Sequence, residues 1–555
     1  MKRHELTFAG LLAATSLASA QVVVPPSADP GAIQQRQMEE ERLRQLRERA
    51  QRKQIEEPVQ NQLPEPAAPK AAAPGATHFV VKTVKFTPSE ILSQAELASL
   101  ASQVEGKDLD MNGLRQFVDT VNKFYRQKGV VTAQAVLPAQ DVTSGVLQIR
   151  LVEGHVGQVL LSGNTSTRDS YLLNRLGLQS DDLVDLKQLE ASLVRFNRTN
   201  DVQMQAQLKP GQRFATTDLA VNVSEPPAQS LRLSVDNLGT SSTGSNRLTL
   251  AYQHRSLLGW RDSLSLSATK SVGTTSLAFS YGVPFNTSGG RVSVGYNIDR
   301  TSIEHGSLKS LNITGRSESA NISARQPLLV DTNSELDLVG AAKQRTTTNW
   351  IDGVTMQKVD TKGLDLGLEG QWFDNHASWF GSFTHSVVSA STPDTAQYNI
   401  ERASLRHQRE LENGLTFVGN VTLQVSSDKL LPSSEQFFLG GEGSVRGYAS
   451  GVYSGDSGMV LNLELHHSVM LPGASSVDGL STSGFLFLDH GRVKPFRPPA
   501  SSLPTYDTVT GVGLGLDLAL GKSTQGRVTL GYGLDHVDAQ SHNLRVTFQL
   551  STLLF

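Results

Sequence analysis

Cysteine is absent from all 555 residues. That excludes disulfide frameworks, thiolate zinc sites and cysteine nucleophiles, and it suits passage through an oxidising compartment. An excess of one charge sign is missing too: 50 Lys and Arg stand against 53 Asp and Glu, a formal net charge of −3. Nucleic acid is therefore not an expected partner. Beyond residue 20 no run of about 18 apolar residues occurs, so helices that cross a membrane are not expected.

What is present begins with a secretory signal. Lys2 and Arg3 precede a short apolar core, Leu6 to Leu17, and Ala18-Ser19-Ala20 offers a small-x-small cleavage site. Residues 1–20 are expected to be a signal peptide, with Gln21 first in the mature chain. An exported chain without apolar helices is either soluble or a β-barrel, whose alternating strands keep mean hydropathy low. Residues 33–55 read as a helix: strong helix formers, no Pro or Gly, and Glu40–Arg44 and Glu48–Arg52 as i,i+4 pairs. Its apolar stripe (Ile33, Met38, Leu43, Leu46, Ala50, Ile55) is thin. Composition favours a solvated or coiled-coil spacer over a helix lodged in a water-filled lumen. Residues 56–77, rich in Pro and Ala, read as a semi-extended linker.

Two compact α+β units follow. In 78–154, Phe79–Phe86 reads as a strand, Ser93-Gln94-Ala95-Glu96 as a capping box, and Met111–Gln127 as an amphipathic helix ended by Gly129. Strands over Val130–Leu137 and Gly145–Val152 complete a β-α-α-β-β order. Residues 155–226 repeat it, with strands at 156–162, 202–208 and 217–223, helices at 167–177 and 185–198, and a turn at Lys209-Pro210-Gly211.

From 229 to 555 the pattern changes to period two. Leu231/Leu233/Val235, Leu248/Leu250/Tyr252, Val292/Val294/Tyr296/Ile298 and Leu544/Val546/Phe548/Leu550 alternate with Ser, Thr, Asn, Asp, Gln, Arg and Gly. Repeated many times, one apolar and one polar face mark strands with lipid outside and water inside. About eleven such segments precede a glycine-rich loop at 440–448 and about five follow it, roughly sixteen in all. Longer loops are expected near 302–307, 348–356, 391–395, 428–455 and 494–507. Phe555 falls out of phase with Leu544–Leu550, and a bulge near Ser551 would restore it.

Two short stretches stand out in this region. Gly440-Gly441-Glu442-Gly443-Ser444-Val445-Arg446-Gly447-Tyr448 sets one arginine among four glycines. Phe485-Leu486-Phe487-Leu488-Asp489-His490-Gly491 sets a carboxylate in an apolar strand. A carboxylate facing lipid is costly, so Asp489, Phe485 and Phe487 should face the lumen and Leu486 and Leu488 the lipid. Asp489 is then the best partner for Arg446, in planar bidentate geometry.

The chain resembles transporters of the two-partner secretion pathway, the haemolysin-activator and filamentous-haemagglutinin exporter family within the barrel-assembly superfamily. Val445-Arg446-Gly447-Tyr448 is similar to that superfamily's loop motif, and Phe487-Leu488-Asp489-His490-Gly491 to its F-x-D-x-G strand motif. Leu137-Pro138-Ala139-Gln140-Asp141 with Leu151-Val152-Glu153-Gly154 resembles the end of the first polypeptide-transport-associated (POTRA) domain of that family, and Leu208-Lys209-Pro210-Gly211 the second. Where the family usually has a glycine soon after, this chain has Gln212-Arg213-Phe214-Ala215. The resemblance implies a transmembrane antiparallel β-barrel of about sixteen strands, behind two small α+β POTRA domains (78–154 and 155–226) and an N-terminal helix. It makes helix 33–55 a plug of the resting pore, reversing the compositional preference for a spacer. It also implies a Gram-negative outer-membrane location with the POTRA domains in the periplasm, a monomeric barrel in lipid, a large unfolded exoprotein as cargo, no cofactor and no enzymatic activity.

Capture of an unfolded chain needs contacts that do not read side chains, which an exposed strand edge supplies. The candidate edge is Val131–Leu137, carrying Val131, Ala133 and Ala135, beside Phe117, Phe124 and Tyr125 of helix 111–127; the plainer reading places these residues in the domain core. Other signals lead nowhere. Gly455-Asp456-Ser457-Gly458 looks like a serine-protease nucleophile segment but has no matching His segment upstream. His466-His467 fall on opposite faces of a strand, and Gly511, Gly513 and Gly515 alternate on a strand rather than opening a helix. A barrel-assembly factor and a plain porin are the competing functions; two POTRA-like units with a polar N-terminal helix favour the exporter.

Overall fold

The computed structural model describes residues 28–50, 59–61, 78–392, 394–426, 430–469, 478–496, 504–537 and 543–555. The expected signal peptide, the end of helix 33–55 and most of the linker lie outside them. Sixteen antiparallel strands close into one barrel, with the first, Gln229–Asp236, paired to the last, Leu544–Leu553. Eleven strands precede the glycine loop and five follow it. Outward residues such as Leu364, Leu366, Leu486 and Val546 are more than half exposed, while their neighbours Asp365, Phe485 and Phe487 turn inward. That is the alternation a lipid-facing wall requires. Among the described residues no helix is long and apolar enough to cross a membrane.

Two of the expected loops are strand instead. Ser334–Ile351 and Val354–Phe373 pair up to Ile351 and Val354, and Ala377–Thr392 and Asp394–Glu410 pair up to Thr392 and Asp394. These strands of 16 to 20 residues far exceed the ~10 residues that cross a bilayer. They continue as ribbons past the lipid, so their polar tips read as loop in the sequence. The register of the last strand is regular through Ser551, so no bulge lies there. The irregularity is at the end: Leu231 accepts from the Leu554 amide and donates to the Phe555 carbonyl, two residues against one, and both are exposed.

The first α+β domain has its strand 79–86 broken into Phe79–Val80 and Thr83–Phe86. Helices Gln94–Ser102 and Met111–Gln127 pack on a sheet in which Val146–Val152 lies between Thr83–Phe86 and Gln134–Val136. The second domain runs His155–Ser162, Asp169–Leu176, Leu186–Thr199, Gln203–Pro210 and Thr216–Ser224. Its 211–215 turn closes with Gly211 N–H on the Thr216 carbonyl, and Ala215 takes the left-handed backbone (φ 61) that a glycine adopts without strain. Linker residues Val59–Asn61 add a parallel strand to the outer edge of Gln203–Pro210. The second domain sits on the barrel through Arg261, buried in the 255–262 turn, whose Nε donates to Asp201 at 3.0 Å, and through Arg175 on the Asn286 carbonyl at 2.8 Å.

The N-terminal helix spans Pro30–Ala50 and starts three residues earlier than its composition suggests. Asp29 explains the start: its side chain accepts from Ala32 N–H at 2.9 Å, with Pro30 in the first helical position. Its described side chains are inside the barrel, which overturns the spacer reading. Asp29 accepts from Asn349 at 2.8 Å, Gln34 donates to Asp299 at 2.6 Å, and Glu40 meets Arg247 at 3.1 Å. A polar helix suits a polar lumen; the missing core is replaced by hydrogen bonds to the wall.

Candidate functional site

The long connection between the eleventh strand, Leu415–Ser426, and the twelfth, Ser457–Ser468, folds back into the lumen. Its tip brings Val445, Arg446, Gly447 and Tyr448 against the thirteenth strand, Leu480–Lys494, which carries Phe487, Asp489 and Gly491. Arg446 Nε donates to Asp489 Oδ2 and Nη2 to Oδ1, both at 2.7 Å, and the Arg446 amide adds a third bond to Oδ2 at 3.0 Å. This is the fork geometry that only arginine offers. Arg446 is 4% exposed and Asp489 0%, so water does not compete for either charge.

The setting completes the pair. Arg446 Nη1 reaches Glu464 at 2.5 Å, and Asn462 donates to both Asp489 (2.9 Å) and the Ser444 carbonyl (2.6 Å). The guanidinium lies 3.7 Å from the ring centre of Phe487. Val445 packs with Leu439, Val460, Val493 and Val509, and Tyr448 hydroxyl donates to the Thr510 carbonyl at 2.9 Å. Gly447 has φ 93, and a Cβ there would meet Gly533 N at 2.7 Å. A Cβ at Gly491 would lie 2.8 Å from Val445. The alternating glycines of the fourteenth strand, Asp507–Leu520, have a role here. A Cβ at Gly511, Gly513 or Gly515 would strike the Arg446 carbonyl, the Phe487 ring or the Phe485 ring. Their bare backbone forms the trough in which the loop tip and both rings lie.

Sequence reasoning did not single out Asn462, Glu464 or these glycines for this site. It also passed over a second anchor. Glu435, 3% exposed at the loop's near end, accepts from Arg402 at 2.9 Å and lies 3.7 Å from both Lys343 and Arg345. Glu435 and Arg446 are thus two of the loop's anchors on the wall, and Glu442, which accepts from Thr529 and Thr547, is another. Arg36 of the helix donates to Ser450 of the same loop at 3.3 Å and lies over Phe438, so helix and loop touch inside the lumen. Asp456 of the protease-like segment accepts from the Leu431 amide at 2.9 Å. His466 is near Glu464 at 2.8 Å inside the lumen, while His467 falls on the other face.

The proposed capture residues of the first domain are not assembled into an open groove. Phe117, Tyr125, Ala133 and Ala135 are buried in its core, with Phe124 packed against them. Tyr125 donates to Glu153 at 2.8 Å, and burial pushes its hydroxyl above the ordinary tyrosine range. Val131 packs into the second domain. Strand 134–136 is an edge, but its Ala135 N–H is already taken by Asn122 Oδ1 at 2.6 Å. The helix carrying these aromatics closes over the sheet, which is why its apolar face is spent on the core.

Comparison with known proteins adds a lineage to this geometry. Residues 215–518 match the family model described as haemolysin secretion/activation protein ShlB/FhaC/HecB. Residues 79–154 match the POTRA domain, ShlB-type. The heme/hemopexin transporter protein HuxB of Haemophilus influenzae (strain 86-028NP) is 25% identical over 471 residues, 80% of this chain and 81% of that one. The outer membrane transporter CdiB of Dickeya dadantii (strain 3937) is 25% identical over 411 residues, 70% of this chain and 72% of that one. The solved structure of CdiB from Escherichia coli superposes with a TM-score of 0.65 at 22% identity, covering 97% of this chain and 100% of that chain. BamA from Haemophilus ducreyi, lacking POTRA domains 1–3, gives 0.52 at 15% identity over 85% of this chain and 99% of that one.

Proposed function

The chain belongs to the haemolysin secretion/activation family, and from that premise we propose that it exports a large, unfolded partner polypeptide from the periplasm through the lumen of its barrel. It is an outer-membrane protein of the two-partner secretion type, with its POTRA domains on the periplasmic side. The observation that carries the reading is a barrel whose lumen is filled by a separate polar helix and an inward loop, behind two periplasmic domains. A pore for small solutes has no use for those domains.

In this reading helix 30–50 plugs the resting pore. The Arg446–Asp489 pair holds the loop tip in its resting place. The periplasmic domains take up the cargo as an extended chain; the seat of Val59–Asn61 on strand 203–210 supports main-chain pairing as the mode. Lipid surrounds a single barrel. Export needs no covalent chemistry by this chain: folding of the cargo outside the cell draws it through. The test is a paired proteome of medium and outer membrane from cells with and without the protein. Loss of one large polypeptide from the medium, with the outer membrane unchanged, is the expected result. A joint fall of many barrels in the outer membrane would instead make the protein an assembly factor.

A further inference from the structure

The outer wall carries charge that the lumen does not explain. At the end of the barrel away from the periplasmic domains, five basic side chains stand on the outward face: Lys270, Arg300, Arg316, Lys358 and Lys362. Their direction follows from the pleat. The alternate residues Asp299, Thr301, Ser317, Val359 and Thr361 are buried on the lumen side, whereas Lys270, Arg300, Lys358 and Lys362 are exposed.

Register aligns four of them. Lys270, Thr275, Arg300, Arg316, Thr348 and Lys358 are successive cross-strand partners on six neighbouring strands. With strands about 4.8 Å apart, the row is on the order of 24 Å long. Two carboxylates share the face: Glu318 accepts from Arg316, and Asp360 lies 3.8 Å from Lys358 and accepts from Thr346 at 2.5 Å. Lys270 donates to the Thr275 hydroxyl at 2.7 Å. Among the described residues Arg300 and Lys362 have no partner, and Arg316 Nε has none. The face is left with a surplus of unneutralised positive charge.

Directly beneath Lys270, Thr275 and Arg300 the same face turns aliphatic, whereas Glu318, Thr346 and Asp360 follow on the next three strands. Ala268 follows Lys270 along its strand face, Ile298 follows Arg300, and Leu364 follows Lys362. Ala268 is small among large neighbours, and a cavity of about 400 Å³ opens there on the lipid side, bounded by Leu250, Leu266, Leu277, Phe279 and Ile298. Cations set above an apolar groove match an amphiphile with an anionic head and an acyl tail. Guanidinium groups favour phosphate, which they hold in bidentate fashion. The face lies at the extracellular end, where the outer leaflet presents phosphorylated glycolipid.

We propose that this wall binds a phosphorylated glycolipid of the outer leaflet, with phosphates along Lys270, Arg300 and Arg316 and an acyl chain in the groove beside Ala268. The site rests on the outer-membrane placement of the barrel and not on export. To test it, the purified full-length protein is loaded with bis-phosphorylated lipid A, dephosphorylated lipid A or phosphatidylethanolamine, and bound lipid is read by native mass spectrometry. Only the phosphorylated glycolipid should be retained. Arg300→Gln and Lys270→Gln should each weaken its retention about fivefold. Ala268→Phe, which fills the groove and leaves every charge in place, should weaken it too. Heat-modifiable mobility on gels checks that each barrel is folded. Equal retention of the phosphorylated and dephosphorylated lipids by the unaltered protein would overturn the proposal, as would unchanged retention in the Arg300→Gln/Lys270→Gln double variant. The readout bypasses export, so failure here leaves the exporter reading standing.

Discussion

Arg446 loses water on entering the lumen and regains it as three bonds to one carboxylate. Removing one member of such a buried pair leaves the other charge stranded, at a cost of about 3–5 kcal/mol. Arg446→Ala should therefore free the loop tip while sheet closure keeps the barrel intact, and export should fall several-fold with heat-modifiable mobility retained. Arg446→Lys should rescue little, because an ammonium cannot hold both oxygens in a fork; export close to normal in either variant would remove the role assigned to the pair. A second residue speaks to pH. Burial works against charge on Glu225, yet hydrogen bonds from the 165–167 segment hold its carboxyl down at about 2, against an ordinary value of about 4.3. A depressed carboxylate stabilises fully above its unfolded value, and that support is lost as pH falls toward the folded one. Acid titration of unfolding should show a slope between about pH 4.5 and 2 that Glu225→Gln flattens. Arg446 and Asp489 could be paired from sequence because a carboxylate in an apolar strand has few explanations. Asn462, Glu464 and Glu435 could not: polar lumen residues are common, and only the path of the loop selects which of them meet it.

At the scale of elements, period two was enough to count strands, since every barrel strand divides lipid from lumen. It was not enough to end them: beyond the bilayer both faces are wet, so residues 348–356 gave no apolar alternation and read as loop. The helix at 30–50 has too little apolar surface to announce where it lies, and its place depends on Asn349, Asp299 and Arg247 of distant strands. The segment 59–61 was hidden for a different reason. A three-residue strand within a Pro- and Ala-rich stretch has no pattern of its own; it is ordered by the edge it joins. Replacing Val59, Gln60 and Asn61 together by proline removes every donor of that strand. Amide hydrogen exchange on the outer side of strand 203–210 should then rise, with the strand's pairing to 216–224 unaffected; no change would mean that the linker does not protect this edge in solution.

For the whole molecule, one constraint orders the rest. The wall is closed, so a polypeptide crosses only through the lumen, and the lumen is held by the helix and the loop, which also touch each other through Arg36 and Ser450. Transport thus requires that the occupants yield. The chain has no cysteine, which makes a tether clean to install. A Cβ placed at Gly31 of the helix would lie 2.8 Å from Oγ1 of Thr347 on the wall, within reach of a disulfide. The decisive measurement is secretion of the partner polypeptide by the Gly31→Cys/Thr347→Cys protein, oxidised and then reduced, beside each single variant. Export that stops with the bond formed and returns on reduction is the predicted result. Undiminished export while non-reducing gels show the bond intact would contradict passage through this lumen.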